Sequence, residues 1–352
     1  MAVPKFQHGS LLQFGERLLR AGGFPERDSK LVAKFLVNAD LRGYPGHGIV
    51  RVPSYSSWIK DGTIDLATKP KIIRESKTTA AIDAHHYVGQ VAAHDGMKLA
   101  IEKAKAHGVG IVSLARAGHI GRLADYMEMA ADAGMIGIAA VSVGAGSVTL
   151  FGGMERVTGT NPMAFGIPAR NGAHIILDFA TAAMSMGELQ KRDARGEPIP
   201  ENVMLDGHGN PAKDMRTFRG PPRGVLLPFG GYKGSGLNLV AEILGGILSG
   251  NGLGRRWWDK GAHAVNGVWL QAIAVEEFQP LEEFFDQLEE LVARAKALKP
   301  ARGFSEVILP GERARKIEAR QMKDGVEIDE GTWELLKKFA DDVGVRDLPG
   351  PC

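Results

Sequence analysis

At 352 residues, with 43 Lys and Arg against 41 Asp and Glu and a formal net charge of +2, the chain is long enough for two closely associated domains and carries no charge excess to hold nucleic acid or an anionic membrane. Its single cysteine, Cys352, provides neither a disulfide framework nor a thiolate metal site, and the histidines lack metal-ligand spacing such as His-Glu-x-x-His. The first residues lack the basic start and apolar run of a signal peptide, and no segment approaches membrane-spanning length, so small-molecule chemistry in a reducing cytoplasm is expected.

The chain opens with two predicted helices. Ser10 is placed to cap the first, which carries Leu11, Leu12, Phe14, Leu18 and Leu19 and stops at Gly22; the second carries Leu31, Val32, Phe35, Leu36 and Ala39 and ends at Gly43. From Thr78 short apolar strands alternate with helices, the pattern of an α/β protein. A helix bearing Ala93, Met97, Ala100, Ile101 and Ala104 closes at Gly108, and another starts near Arg122 and stops at Gly134. Strands are expected at Ile111–Leu114, Ile136–Val143, Ala164–Ile167, Ile175–Phe179 and Val268–Val275. Residues 187–226 are polar and rich in Pro, Gly and Arg without a period, which predicts a long surface excursion able to cover a ligand. Helices return after Pro280 and around Trp333, Leu336 and Phe339. This predicts a helical unit from residues 1–77 and 280–352 around a sheet-containing unit, residues 78–279.

Gly230-Gly-Tyr-Lys-Gly-Ser-Gly236 runs into a helical pattern of Leu237, Val240, Ala241, Leu244 and Ile247, so its free N–H groups and Lys233 can hold an anion, although the spacing is not that of a nucleotide-triphosphate loop. No Gly-x-Gly-x-x-Gly joins a first strand to its helix; a dinucleotide bound here would need another architecture. His47 and His119 stand out among ten histidines because glycines flank both, at Gly46 and Gly48 and at Gly118 and Gly121. Such a loop histidine can exchange a proton near neutrality, and the pattern equally describes a turn histidine with one local hydrogen bond. A helix beginning near Gly48 sets Arg51 and Tyr55 on one face, where Arg51 either clamps a carboxylate or stays solvated. Thr160 and Asn161 offer donors on a constrained turn before Pro162, a pattern more common in turns than in sites. Asp178, where a strand meets a loop, is placed either for a ligand contact or to cap a helix from Thr181.

Gly46-His-Gly-Ile-Val-Arg51, Gly118-His-Ile-Gly121, Gly159-Thr-Asn-Pro162, Leu177-Asp-Phe-Ala-Thr181, Asp206-Gly-His-Gly-Asn-Pro211 and Gly230-Gly-Tyr-Lys-Gly234 together resemble, in order and over nearly the whole chain, the type 2 malate/L-lactate dehydrogenase family. That group also includes sulfolactate, ureidoglycolate and diketogulonate oxidoreductases and a cyclic-imine reductase. The resemblance implies a homodimer that binds NAD or NADP on a non-Rossmann mixed sheet, and hydride transfer at C2 of a small 2-oxo or 2-hydroxy carboxylate. Reduction of a cyclic 2-imino acid and a cofactor-binding sensor without catalysis are the alternatives. It also implies His47 as proton donor and acceptor, His119 beside both the reacting centre and the cofactor, and Arg51, Tyr55, Thr160 and Asn161 at the substrate. Asp178, Phe179, Ala180, Lys233, Gly234, Leu309, Pro310, Gly311 and Glu312 would surround the cofactor, with no metal. Arg219 and Arg223 would meet either a ribose 2′-phosphate or solvent. The chain departs from the family at Gly46, usually serine, and at Gly118, commonly serine or asparagine; the hydroxyl that would orient His47 is therefore missing and substrate identity stays open.

Overall fold

A computed structural model describes residues 3–259 and 264–352. Strand β1 (Lys5–Phe6) pairs antiparallel with β11 (Val326–Glu327) and delivers the chain directly into α1 (His8–Ala21). Helix α1 therefore starts two residues before the expected Ser10 cap: Gln7 occupies the cap position without a side-chain bond, and the buried Phe6 anchors the entry. Helix α2 (Glu26–Leu41) and α3 (Val52–Lys60) pack with α1 in one apolar cluster. Phe6, Phe14, Leu18, Val32, Leu36 and Tyr55 meet Val326, Leu336 and Phe339 of the C-terminal segment in that cluster.

The central layer is a mixed sheet of seven strands in the order β2 (Lys71–Glu75), β3 (Thr79–Asp83), β4 (Val109–Ala117), β10 (Asn266–Ala274), β5 (Met135–Val143), β6 (Met163–Ile167), β7 (Ile175–Phe179). Only β3 and β4 run parallel; β10 lies between β4 and β5 and is antiparallel to both. Helices α4 (Gly89–His107) and α5 (Ala124–Asp132) cover the sheet through Ala93, Met97, Ala100, Met127 and Ala130, and Gly108 ends α4 in the left-handed conformation.

Residues 187–226, expected as an irregular excursion, fold. Helix α6 (Met186–Arg195), β8 (Met204–Leu205), α7 (Met215–Arg219) and β9 (Val225–Leu226) surround Leu189, Ile199, Val203, Met204, Met215 and Phe218. Their apolar side chains are spaced without a period because two short strands and two short helices each contribute one or two, so no stripe reveals them. Helix α8 (Tyr232–Ala241) widens to π geometry over Glu242–Leu248, burying the polar Ser235, Asn238 and Glu242 on its inner side. Leu237, Ala241 and Leu244 face the sheet, while Leu239, Ile247 and Leu248 remain 44%, 56% and 60% exposed. Helix α9 (Gly254–Asp259) precedes β10. Helix α10 (Leu281–Lys296) buries no residue fully and is held to the sheet side by Arg170, which pairs with Glu282, Asp286 and Glu289. Helices α11 (Glu312–Asp324) and α12 (Glu330–Asp342) complete the chain. Among the described residues no helix is long and apolar enough to cross a membrane.

Candidate active site

His47 ends a 3-10 turn, Pro45–His47, and a second turn, Ile49–Arg51, leads into α3. The junction between them is fixed by Asp40 at the end of α2, whose Oδ2 accepts from Ile49 N–H at 2.7 Å. A Cβ at Gly48 would collide with that carboxylate, so glycine is required there for close approach. Burial holds the Asp40 carboxyl above the usual carboxylate range. Arg51 turns back and donates from Nε to Gly46 O at 2.7 Å, and none of the described acidic side chains pairs with its guanidinium.

His119 follows β4 and stacks on His47, the rings 5.6 Å apart and 3° from parallel. Its Nδ1 lies 2.7 Å from the Tyr55 hydroxyl, which accepts from Gln90 Nε2 at 3.1 Å. Trp58 closes the side of the cluster with its ring 6.5 Å from His119. His47 Nδ1 is buried and has no hydrogen-bond partner. Burial, then the positive charges of Arg51 and Arg122, lower the His47 pKa to about 4. Burial and Arg51 likewise push His119 well below its ordinary value, so both imidazoles are neutral at pH 7.

The structure therefore brings His47, His119, Arg51 and Tyr55 together. A cavity of about 510 Å³, a size typical of small-molecule sites, has walls that include Arg42, Tyr44, Arg122, Asp178 and Leu309–Gly311; none of the four clustered residues lines it, and Tyr44, whose carbonyl accepts from His47 N–H, connects the two. The Arg122 guanidinium lies 5.5 Å from the Tyr44 ring centre and pairs with Asp125 at 3.0 Å. Asp178 caps a helix, but not one from Thr181: its Oδ2 accepts from Ala124 N–H at 2.9 Å, at the start of α5. Burial raises its pKa to about 6. Next to the cavity, Glu312 accepts from Leu309 N–H at 3.0 Å and from Lys296 at 2.8 Å, fixing the Leu309–Gly311 turn.

Five relations complete the placement of the expected residues. Phe179 stacks edge-on against Phe229 at 5.6 Å, next to Ala180. Asn161 is fully buried and its side chain is committed: it accepts from Val143 N–H at 3.1 Å and donates to Glu242 at 2.8 Å. It leaves the neighbouring Thr160 half-buried, with its carbonyl accepting from Thr181. Lys233 and Gly234, at the head of α8, do not line the cavity; Lys233 is exposed, with its ammonium 6.0 Å from the centre of the Tyr232 ring. Arg219 is occupied by Asp193 at 2.8 Å, and Arg223 is exposed.

The family model for malate/L-lactate dehydrogenase matches residues 6–337. The chain belongs to the malate/L-lactate dehydrogenase family. It is 37% identical to a malate/(S)-sulfolactate dehydrogenase of Methanothermus fervidus over 94% of this chain and 95% of that protein. The crystal structure of malate dehydrogenase from Entamoeba histolytica superposes with a TM-score of 0.93 at 30% identity, covering 98% and 99% of the two chains. That of a Δ1-piperideine-2-carboxylate reductase from Pseudomonas syringae gives 0.85 at 28% identity, covering 96% and 99%. Membership makes this chain an enzyme of the dehydrogenase type. The glycines that precede the two histidines differ in their surroundings. A Cβ at Gly118 would come within 2.9 Å of Tyr87 O and 3.1 Å of Gly89 N, so the His119 turn is pressed against the start of α4. A Cβ at Gly46 would meet nothing within 4 Å, and its φ is not positive. Gly46 lies opposite Gly187 of α6, so the folded 187–226 segment borders the His47 turn.

Tyr44, Trp58, Gln90 and Arg122 also belong to this arrangement, although no local motif in the sequence marks them. Arg122 carried only the signal of a helix start, and Gln90 carried none.

Proposed function

We propose that the enzyme transfers a hydride between a nicotinamide cofactor, NAD or NADP, and C2 of a small 2-hydroxy or 2-oxo carboxylate, with His47 taking the proton in oxidation and returning it in reduction. The observation that carries this reading is His47 Nδ1, a buried basic nitrogen without a partner, in a neutral imidazole beside an unpaired Arg51. A neutral imidazole is the form that accepts a hydroxyl proton. Arg51 supplies the charge and planar fork that a substrate carboxylate needs. An arriving carboxylate offsets the repulsion from Arg51 and Arg122, so His47 becomes easier to protonate when substrate is bound, as the reverse direction requires.

The 510 Å³ cavity is within the size range of small-molecule sites, and its arginines and carboxylates, Tyr44 and the Leu309–Gly311 turn offer a nicotinamide cofactor both polar partners and a ring to lie against. When bound, the nicotinamide supplies or takes the hydride. Asp178, Leu309, Pro310 and Gly311 would hold it, with Phe179, Ala180 and Glu312 supporting them, on a mixed sheet instead of a parallel Rossmann sheet. His119, Tyr55 and Thr160 would contact the substrate, and Asn161 would hold Thr160 in place.

The same reading includes a cytoplasmic homodimer. The outward side of α8 and its π segment leaves Leu239, Val240, Ile243, Ile247 and Leu248 exposed, a run of apolar side chains of the kind that a partner surface covers. A second copy laid over Leu239, Val240, Ile243, Ile247 and Leu248 would cover it and put Lys233 and Gly234, at the head of that helix, on the subunit boundary, where they would reach the cofactor. The proposed division into residues 1–77 with 280–352 and residues 78–279 is supported by the packing of Phe6 and Phe14 with Leu336 and Phe339; α10 instead runs along the sheet unit. The test is a screen of 2-hydroxy acids, 2-oxo acids and cyclic 2-imino acids with both cofactors, followed at the nicotinamide absorbance. Turnover of a 2-hydroxy or 2-oxo carboxylate that is lost in His47→Ala supports the reading. Turnover of cyclic imines alone replaces it with imine reduction, and turnover of none leaves a cofactor-binding protein.

A further inference from the structure

Gln90 stands in the first turn of α4, 1% exposed, with its side chain in the space between Tyr55 and the Gly121 turn. Its amide Nε2 donates to the Tyr55 oxygen at 3.1 Å, and that oxygen is 2.7 Å from His119 Nδ1. A phenol has one proton to give. With Gln90 as donor to the oxygen, the hydroxyl hydrogen is directed to His119, Nδ1 is the acceptor, and a neutral imidazole then carries its own proton on Nε2. Burial keeps the Tyr55 phenol protonated and the His119 ring neutral, the two conditions the chain of donors requires.

We propose that Gln90 is a positioning residue: acting through Tyr55, it fixes His119 in the Nε2–H tautomer and makes it a neutral hydrogen-bond donor to the C2 oxygen of the substrate. The inference rests on the placement of substrate beside His47 and His119 proposed above. It divides the labour of the stacked pair. His119 stabilises charge building on the oxygen in the transition state, while His47, whose Nδ1 is unengaged, moves the proton. No oxidant or further proton source is needed, because Gln90, Tyr55 and His119 keep their protons throughout.

The experiment uses the full chain with ¹⁵N-labelled histidine, His119 being assigned from the signal lost in His119→Gln. Long-range proton–nitrogen correlation at neutral pH should show His119 protonated on Nε2, and a mixture of tautomers in Gln90→Met. In parallel, Gln90→Met, Tyr55→Phe and the double variant are compared in turnover. Each single change should lower kcat by about tenfold while leaving KM within about twofold, and the double variant should be no slower than Tyr55→Phe. A His119 protonated on Nδ1 in the wild type, or an unchanged tautomer in Gln90→Met, overturns the proposal. So does a double variant in which the two losses multiply, since that is the signature of a packing role. If Gln90→Met does not fold, the wild-type spectrum decides alone. Should no 2-hydroxy or 2-oxo acid be turned over, the functional reading falls while the tautomer still tests Gln90.

Discussion

His47 and His119 both sit in glycine-framed turns with their rings parallel and 5.6 Å apart, yet Tyr55 holds His119 through Nδ1 at 2.7 Å whereas His47 Nδ1 is buried without a partner. The turns themselves differ in the same sense. At His119 the glycine frame is pressed by backbone, with no room for a Cβ at Gly118; at His47 the near side, Gly46, is open and only Gly48 is enclosed, by Asp40. A framed histidine is thus not one kind of group. The clamped ring suits orientation and charge stabilisation, and the unclamped one suits proton transfer, because a group whose nitrogen is already engaged must break that bond before it can react.

The comparison breaks first at His47. We expect His47→Ala to lower kcat by about a hundredfold or more, as loss of a positioned proton-transfer group does, with reduced-cofactor affinity unchanged in a fluorescence titration. A variant as active as the wild type would transfer the proton to His119 or to water. Lys233→Ala provides the opposite signature from outside both turns: about 1.5–3 kcal/mol of cofactor affinity lost, the value of a charge-assisted contact, with turnover at saturation little changed. Unchanged binding would leave the glycine–lysine turn a structural feature.

Arg51→Lys sharpens the reading of the open side of the pair, since it keeps the charge and loses the planar fork. KM for carboxylate substrates should rise by about tenfold, and discrimination between an acid and its amide should narrow. Equal discrimination would remove Arg51 from carboxylate binding. The smallest effect is expected at Gly46→Ser, a few-fold shift in kcat/KM from bulkier 2-oxo acids toward pyruvate, as the hydroxyl fills space beside His47 and offers its ring a hydrogen bond. Because a Cβ meets nothing there and φ is not positive, an unchanged ratio could not be attributed to backbone strain.

Much of the site was legible because its signals are local. Glycines on both sides of a histidine, and an arginine four residues on, fall within one short segment, and Gly108 and Gly134 end their helices where the apolar period stops. Non-local relations were not legible. Strand β10 was expected as a strand, but nothing in residues 266–274 says that it enters the centre of the sheet between segments more than a hundred residues away. Asp178 read as a possible cap for the following residues and instead caps α5, 54 residues earlier in the chain. Gln90 and Trp58 join the histidines only through tertiary packing. The outward apolar face of α8 was visible as hydrophobic positions, but periodicity cannot distinguish a face against the sheet from one against another molecule.

The claim that His47 is the proton acceptor is tested most directly by the pH dependence of kcat/KM for oxidation of the preferred 2-hydroxy acid, which reports the free enzyme. A histidine whose pKa is lowered to about 4 stays neutral, and competent as a base, until the pH falls well below its ordinary titration range. The efficiency should therefore remain level from neutrality down to about pH 5.5, and His47→Ala should remove the activity across that range. A loss of about tenfold between pH 7.5 and 5.5, the course of an unperturbed imidazole, would contradict the account.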